Sequence, residues 1–397
     1  MRILYIQETD WLGKGPQQQH HILERLSNLG HQITVIDYKI DWDKNVGFNI
    51  LSSRIYIQSP PKACDKCNIR LIRPKFIQLP ILNYISLVLT YGKEIYYQIK
   101  KFQPDIIMGG GVLTVFLACY IAKKKNIPFI YNLVDKNHQL IPQIFLRPLG
   151  FAIEKLIHRF SSYVIAINEQ LKNYSIRMGS NPSKSFVIRA GVESQLFHNN
   201  SESAKKIREK FGFNQDDLIL FFMGWFYVFS GLDKVIERMH EIGNPEIKLF
   251  LLGKGPLKQR IQELIEKFDL EESVIIHDWV PYRNLPKYIS MADVCLLPAF
   301  NNEIMNEIVP IKLYEYLAMS KPVISTFLRG IYLEFGRDNG IIYINNSKEA
   351  LDKALELKSK DLLGEIGAKG RQFILANCNW NYLIQNFLKI LEKSQKV

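Results

Sequence analysis

Short apolar runs, each followed by a glycine-bearing loop and then a helical pattern, recur along this chain and limit its fold more than any other feature. "RILYI" (2–6) passes through a loop with Gly13 and Gly15 into a helical pattern over about 17–29, closed by Gly30-His31 before "ITVID" (33–37). Strand, loop, helix and strand in that order form the repeat of a parallel sheet, since parallel neighbours need a long crossover between them. The pattern returns in "DIIMGG" (105–110), a helix over 112–125 and "PFIYNL" (128–133), then in "YVIAIN" (163–168) and "SFVIRAGV" (185–192). The polar stretch 198–210 has no strand signal and suits a domain boundary. A second series follows: 218–223, "IKLFLLG" (247–253), "SVIIHDWV" (273–280), "ADVCLLP" (292–298) and "KPVIST" (321–326). The expected fold is α/β, with two Rossmann-like domains, 1–197 and 198–379, facing across a cleft. The segment 380–397 is expected to be an amphipathic helix packing across both.

A chain of 397 residues is long enough for two cores. Five cysteines, an odd number spread along the chain, argue against a disulfide framework and for a reducing compartment. Cys64 and Cys67 lack two further ligands at zinc-site spacing, so no metal is expected. "MRILYI" runs into Gln7, Glu8 and Asp10 without the basic start and apolar region of a signal peptide. The uncharged stretch 106–122 is short for a membrane span and is broken by Gly109-Gly110-Gly111. A cytoplasmic chain without a transmembrane anchor is expected.

"NEIVPIKLYEYLAMSKPVIST" (306–326) sets Glu307 in a loop and Glu315 on a helix that Pro310 opens. Free N–H groups at such a helix start attract anions, phosphate above all, while a carboxylate there accepts hydrogen bonds from sugar or ribose hydroxyls. A solvated helix glutamate is the plain alternative for Glu315.

The order of these stretches resembles the retaining glycosyltransferases of family 4, which have GT-B architecture. The match rests on the Glu-x7-Glu stretch leading into 309–326, "LLGKGP" (251–256), "WVPYRNLPKYISMADVCLLPAF" (279–300), "IRAGVESQLF" (188–197) and the glycine loop and first helix of 13–37. The resemblance implies that Glu315 holds the ribose of a nucleotide sugar and that Glu307 lies by the transferred sugar. It also implies that backbone around Val309, Pro310, Ile311 and Lys312 approaches the diphosphate, with Gly15 and Gly224 lining the same site. The donor substrate would be a nucleoside-diphosphate sugar, with no further cofactor and no metal.

One departure matters. Where the family carries an Arg and a Lys aimed at the diphosphate, "MGWFYVFSGLDKV" (223–235) has Trp225 and Ser230. Lys312 and Lys254 are the candidates to compensate, with Ser230 as a hydrogen-bond donor. On the acceptor side the resemblance points to Asp135, with His138 as its alternative, and to His20 at the first helix. Glu307, Lys312 and Asp135 are therefore the expected catalytic groups. A nucleotide-sugar 2-epimerase and a catalytically silent scaffold are the rival readings.

Residues 1–195 hold 25 Lys+Arg against 13 Asp+Glu, and the remainder 26 against 26, so the whole excess lies in the first half. No nucleic-acid recognition motif accompanies it. An anionic membrane face bearing a lipid-linked acceptor is the expected partner, reached through 69–101, with Arg70, Arg73 and Lys75 ahead of Tyr84, Tyr91, Tyr96 and Tyr97. The alternative is that the apolar part of this stretch is an ordinary core helix and the charge serves solubility, which would leave a soluble acceptor.

Overall fold

A computed structural model describes residues 1–13, 16–38, 52–77, 82–141, 143–303, 305–306 and 308–395, with backbone alone at 82–85 and 395. The chain forms two compact units, Met1–Arg189 with Asn381–Val397, and Ala190–Trp380.

The first unit is built on β1 (Arg2–Gln7), β2 (Gln32–Ile36), β3 (Ile55–Ser59), β4 (Ile69–Arg73), β5 (Ile106–Gly110), β6 (Phe129–Leu133), β7 (Tyr163–Ala166) and β8 (Ser185–Val187). They lie in the order β3-β4-β2-β1-β5-β6-β7-β8. All neighbours are parallel except β3, which pairs antiparallel with β4. The second unit has β9 (Leu218–Trp225), β10 (Ile247–Lys254), β11 (Val274–His277), β12 (Val294–Leu297), β13 (Val323–Thr326) and β14 (Ile341–Ile344), in the order β11-β10-β9-β12-β13-β14. Every pair in this sheet is parallel. Leu218 to Met223 are all buried, as expected of a strand covered by helices on both faces. In each sheet the chain winds one way from its first strand, then reverses. The reversals fall between β1 and β5 and between β9 and β12, and open α/β sheets bind ligands at the carboxyl ends of such strands.

Residues 198–210 contain a surface helix, Ser201–Lys210, capped by Asn200 and tied down where Arg208 reaches the Met291 carbonyl at 3.0 Å and Asp293 at 2.8 Å. The stretch 69–101 is not a free interfacial segment. Its helix Leu82–Lys101 buries Leu87, Tyr91 and Ile95 in the core, and Arg73 is held by Asp10 and Asp37. Tyr96 and Tyr97 are exposed; the Tyr84 side chain lies outside the described residues. The helix Trp380–Gln395 buries Leu383, Ile384, Phe387, Ile390 and Leu391, and its Lys393 carbonyl accepts the Tyr163 hydroxyl of β7 at 3.2 Å. Among the described residues no helix is long and apolar enough to cross a membrane.

Candidate functional site

At the reversal of the second sheet, the helix Ile311–Ala318 starts from Pro310, whose extended backbone caps it. The Leu313 amide bonds the Pro310 carbonyl at 3.1 Å, while the first amides, at Ile311 and Lys312, have no intrahelical acceptor. Leu313, Tyr314, Tyr316 and Leu317 are buried. The Met223 amide donates to the Tyr316 hydroxyl at 2.8 Å and fastens the helix to β9. That fastening brings the Lys312 ammonium to 4.0 Å above the Phe222 ring, against Gly224. A Cβ on Gly224 would lie 2.6 Å from Lys312 Nζ, and its φ of +125° suits glycine alone. A Cβ on Gly253 would lie 1.9 Å from the Gly224 carbonyl, so the end of β10 meets β9 as it does only because residue 253 is glycine.

Burial pushes the Lys312 ammonium down to about 7, against the pull of Glu315. Burial also pushes the Glu315 carboxyl up to about 7, although a Tyr282 hydrogen bond and Lys312 oppose the rise. For both groups burial outweighs the opposite charge that each offers the other, a state typical of binding sites.

Around them lies an aromatic loop. Trp225, Tyr227 and Val228 are exposed, and the Tyr227 and Phe229 rings stack at 4.8 Å. Ser230 is 5% exposed, and its hydroxyl has no hydrogen-bond partner among the described residues. It stands just before the helix Leu232–Ile242. Lys254 is exposed at the end of β10, in register with Trp225. Val309 and Pro310 are half-buried and Ile311 is exposed. Glu307 and Gly15 lie outside the described residues. Asn306, just ahead of Glu307, accepts the Arg329 and Gly330 amides at 2.9 Å each.

The first sheet's reversal is arranged differently. Glu8, which follows β1, accepts the amides of Val112 at 2.9 Å, Thr114 at 2.5 Å and Val115 at 3.2 Å, and the Thr114 hydroxyl at 2.9 Å. Its carboxylate thus sits at the start of the helix Leu113–Lys124, where a phosphate would otherwise be held. His20 is also occupied by the fold. Its Nδ1 accepts the Gln17 amide at 3.1 Å, its Nε2 is 3.0 Å from the Trp11 carbonyl, and burial pushes the ring down to about 4. His20 therefore does not present a nitrogen to an acceptor.

Asp135 and His138 follow β6. Burial pushes the Asp135 carboxyl up to about 6. His138 Nδ1 lies 2.6 Å from the carboxylate of Glu154, which is fully buried and also accepts from the His138 amide at 3.1 Å and the Tyr131 hydroxyl at 3.2 Å. The carboxylate makes Nδ1 the donor and leaves Nε2 as the basic nitrogen. The chain's Asp41-Trp42-Asp43, a spacing that metal-dependent sugar transfer would use, lies outside the described residues, so the expectation of no metal is not tested there. Among those described, no cluster of three or more His, Cys, Asp or Glu is placed to hold a metal ion.

Sequence reasoning missed Glu8, Glu154, Phe222 and Tyr282. Tyr282 lies inside a stretch already singled out, but nothing local marks it as the partner of Glu315. Glu154 is on a helix 16 residues beyond His138, with no motif linking them.

Comparison with known proteins adds the following. Residues 203–373 match the family described as Glycosyl transferases group 1, and residues 18–196 match Glycosyltransferase Family 4. A Bacillus subtilis glycosyltransferase assigned to teichuronic acid biosynthesis is 22% identical over 60% of this chain and 57% of its own length. The chitobiosyldiphosphodolichol beta-mannosyltransferase of Debaryomyces hansenii is 22% identical over 63% of this chain and 58% of its own. The matches thus span only about three-fifths of these relatives. The structure of HepE from Anabaena in complex with UDP superposes with a TM-score of 0.72 over 99% of this chain and all of that one, at 14% identity.

Proposed function

Because the chain belongs to glycosyltransferase family 4 and has its two-domain GT-B fold, we propose that it transfers a sugar from a nucleoside-diphosphate sugar to an acceptor hydroxyl in glycan or cell-surface polysaccharide synthesis. The observation that carries this reading is the Lys312–Glu315 pair at a helix start against Gly224. Glu315 accepts the ribose hydroxyls, and Lys312 with the amides of Ile311 and Lys312 receives the diphosphate. Ser230 donates its hydroxyl to the same anion. Lys254 is the second cation, and Glu307 lies by the sugar.

Transfer proceeds with retention. The bond from the anomeric carbon to the diphosphate oxygen breaks, and the acceptor oxygen bonds that carbon on the same face. The acceptor's proton passes to the departing diphosphate. Negative charge grows on the diphosphate as it leaves, so a fixed ammonium and helix amides favour the transition state over the bound substrate. No metal is needed for this charge balance.

Asp135 and His138 belong to the acceptor side. The acceptor is lipid-linked, at the inner face of a membrane on which the chain rests peripherally. The basic excess of the first half supports this, as does the relative named for a dolichol-linked substrate.

Titration with UDP, GDP and ADP, followed by their sugars, tests the donor site: one nucleotide should raise the melting temperature and its sugar should turn over. No shift with any of them would reject the site. Binding without transfer or hydrolysis would leave a silent scaffold, and epimerised free sugar would mark an epimerase.

A second reading, inversion, is favoured by the His138–Glu154 pair. An oriented imidazole is the base that attack from the opposite face requires. The anomeric configuration of the product, read by NMR, decides between the two.

A further inference from the structure

Just beyond Asp135 and His138 the first unit exposes a run of large apolar side chains that the proposed chemistry does not use. Leu140 is 63% exposed, Ile144 72%, Phe145 78% and Leu149 59%. They stand on the short turns Asn137–Leu140 and Ile144–Leu146 and on the first turn of the helix Arg147–Phe160. Single exposed apolar residues are ordinary, but a contiguous set marks an interaction surface. Along that helix Arg147, Phe151, Lys155 and Arg159 recur at every fourth position and so share one side. The helix's acid, Glu154, is turned inward onto His138. An apolar crest beside a helix side whose charges are all basic is the pattern of a surface that lies in a membrane interface.

We propose that Leu140, Ile144, Phe145 and Leu149 form a wedge that enters an anionic lipid surface, with Lys155 and Arg159 on the headgroups. A second copy of the chain fits less well, because a self-complementary contact would bring the same basic flanks together. The wedge follows Asp135 and His138 without an intervening strand, so an acceptor anchored in the same membrane would present its hydroxyls next to those residues. The proposal rests on the reading of a membrane-borne acceptor, but its test needs no acceptor.

The full chain, Ile144→Ser/Phe145→Ser and Lys155→Glu/Arg159→Glu are sedimented with phosphatidylcholine vesicles, and with vesicles that also contain phosphatidylglycerol. The parent should bind the anionic vesicles only, and less so as salt rises. The apolar double variant should bind at least about tenfold more weakly, the scale set by two large side chains left in water. The charge variant should lose its preference for phosphatidylglycerol. Phe145→Trp should shift its emission to the blue with anionic vesicles alone. Parent-like binding by the apolar variant, absence of binding by the parent, or no blue shift would overturn the wedge. So would a dimer in sedimentation equilibrium that the apolar variant dissociates. Nucleotide-induced stabilisation is recorded on every sample. If it persists while vesicle binding fails, the wedge alone is wrong; if it is missing throughout, the enzymatic reading falls and the vesicle result still stands.

Discussion

Lys312 and Glu315 show how much a site can depend on what is not yet bound to it. Relative to the unfolded chain the lysine is lowered from 10.5 to about 7, so between those pH values the unfolded chain holds more protons and this group favours folding increasingly as pH rises. The glutamate is raised from 4.5 to about 7, so across that window the folded chain holds the extra proton and stability falls as pH rises. Both contributions are therefore least favourable near neutrality. Lys312→Met is expected to raise the melting temperature of the unliganded protein near pH 7, with a gain that shrinks toward pH 10. The same substitution should slow turnover much more than it weakens nucleotide affinity, and the corresponding change at Lys254 shows which lysine serves the leaving group. A bound diphosphate should return the proton to Lys312. Calorimetry above pH 7 in buffers of different ionisation heat should thus show net proton uptake, and buffer-independent heats would contradict it. Glu315→Ala is expected to cost about 1.5–3 kcal/mol of nucleotide affinity, the range for a hydrogen-bonded carboxylate, without loss of fold.

Among elements, the two helix starts at the two sheet reversals have opposite fates. The start of Leu113–Lys124 is filled by Glu8 from its own unit, and that of Ile311–Ala318 has, among the described residues, no side chain accepting its first amides, and lies beside a lysine. Glu8→Ala should speed amide exchange at Thr114 and Val115 and destabilise that helix by about 1.5–3 kcal/mol. Nucleotide affinity should be unchanged; a loss of affinity would place the donor in the first unit instead. Most of the parallel strands were legible in the sequence because buried strands are uninterrupted apolar runs, as in Leu218 to Met223, but β4 and β14 carried no strand expectation. Long-range partners were not. Nothing near His20 reveals that Trp11 and Gln17 occupy both its nitrogens. Of the two readings of Leu82–Lys101 the core helix is the one found, and its signal is in the sequence: Leu87, Tyr91 and Ile95 fall four apart, the spacing of a face turned to the core. The reverse error hid the crest at Ile144 and Phe145, since apolar residues in a sequence are taken to lie inside.

For the whole molecule, the decisive topological fact is that the first unit is made from both ends of the chain, Met1–Arg189 and Asn381–Val397, with the second held between them. Removing residues 381–397 would uncover the face against which Leu383, Phe387 and Leu391 are buried. Scanning calorimetry of that truncation should show the first unit melting at lower temperature, while a transition raised by nucleotide persists for the second. A single transition that still responds fully to nucleotide would show the helix to be dispensable. The same topology sets an order of maturation on the ribosome. Ala190–Trp380 can close once its last residue emerges, but the sheet that opens with Arg2–Gln7 stays unfinished along one face until the helix Trp380–Gln395 follows. The half proposed to hold the donor is thus ready first, and the half proposed to meet the membrane is completed last.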